Sequence, residues 1–199
     1  MNTTLIFAEL LIIGLEGGIW FFFLIFSLFG INDLDKFLNA IREWQLIVVT
    51  IAIPLLYVLG IILDRMADIL FKARERTLDR EIAGDLSVSV PVMRFTLGTK
   101  NDFLNQQLEY TRTRMRIVRA SVVNFALIAI SISIFLLTHL TSVAAKTRWQ
   151  YVTITVILGL VMSYAAFVTW KSLVRGHLRL SKIMYEHQNP KKSRKRTLA

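Results

Sequence analysis

The chain has 199 residues, 54% of them hydrophobic, with 24 Lys and Arg against 14 Asp and Glu for a net charge of +10, and its mean hydropathy is +0.52. Its apolar residues gather in four blocks, 5–31, 46–63, 117–140 and 151–170. Apolar nearly all round, these blocks have the composition of a membrane protein and exclude an ordinary soluble domain. With no cysteine, a disulfide framework and a thiolate metal site are excluded too.

The first block, Leu5 to Ile31, exceeds the roughly 20 residues needed to cross a hydrocarbon core. It follows Met-Asn-Thr-Thr, which lacks the basic region and small-residue cleavage site of a signal peptide, so it is expected to stay as a helix. Glu9 and Glu16 lie two helical turns apart on one face, which Trp20 continues. A charge near mid-membrane costs on the order of 3 kcal/mol. The two carboxylates are therefore either buried to fix assembly or used as ion or proton ligands. On the other flank, Gly14 and Gly18 form a GxxxG spacing that lets another helix approach closely.

Asn32 to Glu43 is a short amphipathic connection, expected to lie flat on the outer surface. The second span contains Pro54, which predicts a kink. Thr50, Pro54, Tyr57, Asp64 and Asp68 fall within about 80° of arc at 100° per residue, a polar stripe deepening toward the far end. Arg65 borders this stripe, and a helix-end ion pair is the simplest use for the two aspartates. Beyond Leu63 the helical pattern continues through oppositely charged pairs until Gly84.

Residues 85–100 read as an extended loop or a short edge strand broken by Pro91 and Gly98. This tip carries Val90, Val92, Met93, Phe95 and Leu97, an apolar patch suited to docking a partner. Asn101 or Asp102 caps the next helix. Its Leu104, Leu108, Thr111, Met115 and Val118 recur at steps of four and three, a seam that can lie against the second helix. Arg112, Arg114, Arg116 and Arg119 point around most of that helix and form a basic collar expected to bind lipid phosphates.

The third span has a polar stripe of Ser121, Asn124, Ser131, Thr138 and His139, with Arg119 on the opposite side. The Asn124 amide needs a partner, and Glu16 or the stripe of the second helix can supply one. His139 reads as interfacial, without a second ligand at metal-binding spacing. In the fourth span Thr155, Gly159, Ser163 and Ala166 form a small-residue face for close packing. A basic amphipathic helix then leads to Lys191, Lys192, Arg194, Lys195 and Arg196, a cluster expected to be disordered and drawn to an anionic leaflet.

Orientation follows from basic residues: 64–119 holds eleven Lys and Arg and 171–199 holds nine, against two each in 32–44 and 141–150. Both termini are therefore expected in the cytoplasm. Trp44 and Trp149 fit the outer interface and Trp170 the inner one.

The expected fold is all-α: four transmembrane helices, with a helical hairpin projecting into the cytoplasm from helices 2 and 3. Its parts are 1–63 (helices 1 and 2), 64–116 (hairpin), 117–170 (helices 3 and 4) and 171–199 (basic tail). The sequence has no Walker loop, GxGxxG, HExxH or GxSxG, so neither an enzyme nor a cofactor is expected. The expected partners are a bilayer with an anionic inner leaflet, further copies of the chain and a cytosolic protein; nucleic acid is not expected. Two functions fit. The first is a membrane anchor and transducer that couples membrane state to a cytosolic partner through the basic hairpin. Small four-span subunits of the bacterial inner membrane in stress or defence systems share this format, an analogy of format alone. The second is a homo-oligomeric cation or proton channel, with Glu16 facing a wet path and Asp64 and Asp68 at its inner mouth.

Overall fold

A computed structural model of the chain describes residues 3–30, 39, 41–83, 102–141 and 144–188. Four helices make up nearly all of it: α1 (Thr3–Phe29), α2 (Gln45–Ala83), α3 (Asp102–His139) and α4 (Ala145–Gln188). At 1.5 Å per residue, α2, α3 and α4 are about 57 to 66 Å long, close to twice a hydrocarbon core. All four are long and apolar enough to cross a membrane. Large hydrophobic side chains stand exposed along them, among them Leu46, Ile51, Leu55 and Ile62 on α2 and Ile154, Leu158, Leu160 and Val161 on α4. A water-soluble domain does not carry contiguous apolar surface on this scale. The chain is built as a multi-pass membrane protein.

The bundle is organised around α3, which packs against each of the other helices, most extensively against α4 and α1. Small side chains make this possible. Ala120, Ser121, Ala129 and Ser131 are buried along α3, and a Cβ on Gly159 of α4 would overlap the Cβ of Ala129. Ser163 of α4 donates to the Val122 carbonyl at 2.9 Å. The small face predicted on the fourth span is thus the surface that meets α3.

The α1–α2 contact is closer still. A Cβ on Gly14 would collide with the Leu56 carbonyl, and one on Gly60 with the Leu10 carbonyl and, at 3.1 Å, with Gly14 N. The two backbones touch because both positions lack a side chain. Gly18, the second glycine of the sequence motif, faces the Leu56 side chain. α2 itself runs unbroken through Pro54.

At their charged ends the helices stay packed. Leu78 of α2, Met115 of α3 and Trp170, Val174 and Leu178 of α4 form one buried cluster. Phe71 meets the Trp170 ring edge-on at 4.8 Å between centroids. One expectation gains a partner and one changes here. The charged ends of α2 and α3 are joined by α4, which continues as helix to Gln188 and lays Val174 and Leu178 against them. Trp170, expected at a lipid interface, is 1% exposed, because the extended α2 and α3 cover it. Trp44 and Trp149 remain exposed at the opposite end. Of the seam predicted on the third helix, Leu108 and Met115 are buried and Thr111 and Val118 are half-buried. The outer connection lies largely outside the described residues; the tip and the final basic cluster lie wholly outside them.

Candidate functional site

Where the apolar stretches give way to charged ones, α1, α2 and α3 are joined by a chain of ion pairs. On α2, Asp64, Asp68 and Glu75 are spaced by four and seven residues, within about 40° of arc, and so line one face. On α3, Arg116 and Arg119 are three apart and share a face too. Packing the two faces together makes the pairs. Arg116 Nη2 donates to Asp64 Oδ2 at 2.7 Å, and Arg119 Nη2 to Asp64 Oδ1 at 3.2 Å. Arg119 Nη1 donates to Asp68 Oδ1 at 2.7 Å, with Glu75 farther off at 3.9 Å.

Glu9 brings in α1: its Oε1 lies 3.0 Å from Arg116 Nε, and its side chain is fully buried. The order Glu9, Arg116, Asp64, Arg119, Asp68 alternates in sign through three helices. Burying such charges is tolerated only because each has a close opposite neighbour. Arg119 is 8% exposed and Asp64 9%, so the pair between them is interior, while Asp68 at the end of the chain of pairs is 44% exposed.

Deeper in the apolar region, Glu16 is held separately. Ser121 Oγ donates to its Oε1 at 2.8 Å and Asn124 Nδ2 to its Oε2 at 3.1 Å. Asn124 is wholly buried and also reaches the Ile13 carbonyl at 3.4 Å. Thus α3 meets α2 through Arg116 and Arg119, and α1 through Arg116, Ser121 and Asn124.

Of the residues the sequence singled out, Glu9, Asp64 and Asp68 meet in the ion-pair chain, while Glu16 and Asn124 meet each other. The four-arginine collar is divided. Arg116 and Arg119 turn inward to carboxylates, because the acidic face of α2 stands opposite them. Arg112 and Arg114 stay outward: Arg112 is 57% exposed beside Glu109 at 3.7 Å, and Arg114 lies 5.7 Å over the Tyr110 ring. The tip residues Val90, Val92, Met93, Phe95 and Leu97 and the basic residues Lys191, Lys192, Arg194, Lys195 and Arg196 fall outside the described residues.

Glu75 and Gly60 join these contacts without having been singled out. Glu75 was legible as the third acid on the Asp64 face. Gly60 carried only the signal of a glycine inside an apolar helix. Among the described residues, no three His, Asp or Glu side chains are grouped so as to hold a metal ion.

A cavity of about 300 Å³ opens beside the ion pairs, lined by residues of α2, α3 and α4 that include Arg65, Asp68, Arg112, Arg119 and Trp170. No family model, curated protein or solved structure matches the chain.

Proposed function

We propose that the protein is an integral membrane transducer. Four helices cross a membrane with both termini and the charged extensions in the cytoplasm, and the rigid extensions present the arrangement of the bundle to a cytosolic protein. The concentration of Lys and Arg in 64–119 and 171–199 supports that orientation. A bacterial inner membrane fits the format.

The observation that carries this reading is the alternating ion-pair chain at the root of the extensions. Each of α2, α3 and α4 passes that level as one uninterrupted helix. A shift of α1 in the membrane pulls on Arg116 through Glu9, and Arg116 is rigidly continuous with the extension of α3. Packed helices respond to such a pull by moving between discrete arrangements. The same observation weighs against a cation path: Asp64 and Asp68 are spent on arginines and Glu16 on Ser121 and Asn124, all within one chain.

Distance measurement between spin labels tests the coupling. Labels at the exposed positions Arg80 of α2 and Arg179 of α4 sit on the extensions, away from the ion pairs. In membranes, Glu9→Gln is expected to change or broaden the distance between them. An unchanged distribution, in a variant that still folds, refutes the transducer reading.

A further inference from the structure

We propose that the cavity beside the ion pairs binds the headgroup of a phospholipid carrying a primary amine, of the phosphatidylethanolamine type; the proposal rests on the membrane reading above. Three observations converge on it.

The first is an unmet donor. Arg119 lines the cavity and both its Nη atoms are engaged by carboxylates, but its Nε is buried without a hydrogen-bond partner. Buried donors are satisfied as a rule. A phosphate oxygen is the acceptor a guanidinium edge suits best, and one bound in the cavity would reach this Nε, which is closed to water here, as the neighbouring side chains shift.

The second is charge. The cavity is lined by four guanidiniums, Arg65, Arg112, Arg116 and Arg119, and three carboxylates, Asp64, Asp68 and Glu75, with Glu9 behind Arg116 outside the lining. A lining of mixed sign with one positive charge in excess suits a zwitterion bound through its phosphate, whose ammonium end finds the carboxylates. For the phosphate there are Arg65 and Arg112, both exposed at the rim. For the ammonium there are Asp68 and Glu75, whose side chains are 44% and 32% exposed. A primary ammonium donates hydrogen bonds to these carboxylates. The quaternary ammonium of a choline headgroup has no N–H to donate.

The third is position. The cavity lies where the exposed apolar surface of α2 ends, at Ile69 and Leu70, 74% and 64% exposed, just before Lys72. Acyl chains run along such surface while the headgroup sits at the level of the charges. Its volume of about 300 Å³ is at the small end for a ligand site, adequate for a headgroup.

Two measurements on the full chain test this. Flotation of carbonate-washed membranes comes first: protein recovered in the aqueous fraction overturns the membrane reading and this proposal together. With membrane-bound protein, native mass spectrometry in mild detergent follows, with equimolar phosphatidylethanolamine, phosphatidylcholine and phosphatidylglycerol. Retention of phosphatidylethanolamine is expected at about tenfold over the other two, the worth of one charge-assisted hydrogen bond. The Arg65→Ala, Arg112→Ala double variant spares the interior pairs and is expected to lose that retention about tenfold. Glu75→Gln is expected to reduce the preference for the amine lipid over the choline lipid. Equal retention of all three lipids, or full retention by the double variant, overturns the proposal while leaving the membrane reading standing. Free O-phosphoethanolamine separates the two sources of the group: failure to displace the lipid at millimolar concentration supports a lipid site, and ready displacement overturns it.

Discussion

Replacing Arg116 with leucine removes one member of the ion-pair chain and strands another. Glu9 has no exposed side-chain surface, and Arg116 Nε at 3.0 Å is the cation beside it. At an effective dielectric near 20 and that separation, the gross attraction is about 5 kcal/mol. Desolvation of both groups offsets much of this in the intact protein. Breaking a buried pair from one side nevertheless costs about 3–5 kcal/mol, because the remaining charge is left uncompensated. Asp64 is less affected, since Arg119 still reaches it at 3.2 Å. Arg116→Leu is therefore expected to destabilise the protein by about 3 kcal/mol or more. The Glu9→Leu, Arg116→Leu double variant removes both charges and is expected to recover most of that loss, as apolar replacements of buried pairs commonly do. Unfolding titrations in mixed micelles, run on the wild type, both single variants and the double variant, read the coupling directly. If the double variant is no more stable than Arg116→Leu alone, the burial argument for Glu9 is wrong.

Other outcomes follow from the same contacts. Gly60→Ala places a methyl group against the Leu10 carbonyl and is expected to separate α1 from α2. The chain has no cysteine, so a pair introduced at Phe7 and Tyr57, whose rings stack at 5.2 Å, should crosslink readily in the parent and poorly in the Gly60 variant. Asn124→Leu leaves Glu16 with Ser121 alone and is expected to cost about 1–3 kcal/mol; thermal unfolding in detergent measures it, and a loss near zero argues against the Glu16 contact. Trp170→Ala opens the cluster shared by α2, α3 and α4, at a cost of about 3–5 kcal/mol, and faster limited proteolysis of the extensions is the expected sign. In planar bilayers the wild-type protein should be electrically silent; a cation conductance abolished by Glu16→Gln would restore the channel as the better reading.

Much of the architecture was legible because the bilayer demands it: four apolar blocks of spanning length leave a chain this short nowhere but lipid to hide them. Glu16 was legible as one of two partners open to Asn124, because both are polar groups in apolar helices; the stripe of the second helix was the other, and packing decides between them. The direction of the arginines was less accessible. Arg112, Arg114, Arg116 and Arg119 surround their helix, and rotation decides which two meet carboxylates. That rotation is set by small residues elsewhere on α3, such as Ala120 and Ala129, which packing against neighbours reveals and a helical wheel does not. Trp170 misled for a related reason. An aromatic residue at the edge of an apolar block is usually interfacial, but here the helices run past it and enclose it. Gly60 shows a third limit, since a close approach of two backbones depends on the partner glycine, Gly14, forty-six positions away in the chain.

The order of the charges along the polypeptide has a consequence for biogenesis. Glu9, Asp64 and Asp68 leave the ribosome before Arg116 and Arg119, which neutralise them. At about 5–20 residues per second, the wait between Asp64 and Arg116 lasts some 3 to 10 seconds. For that interval Glu9, Asp64 and Asp68 lack the two arginines that pair with them in the folded bundle. If the chain crosses a membrane as proposed, α1 and α2 would gain these counter-charges only once α3 has been synthesised, so the three helices would be expected to enter lipid together.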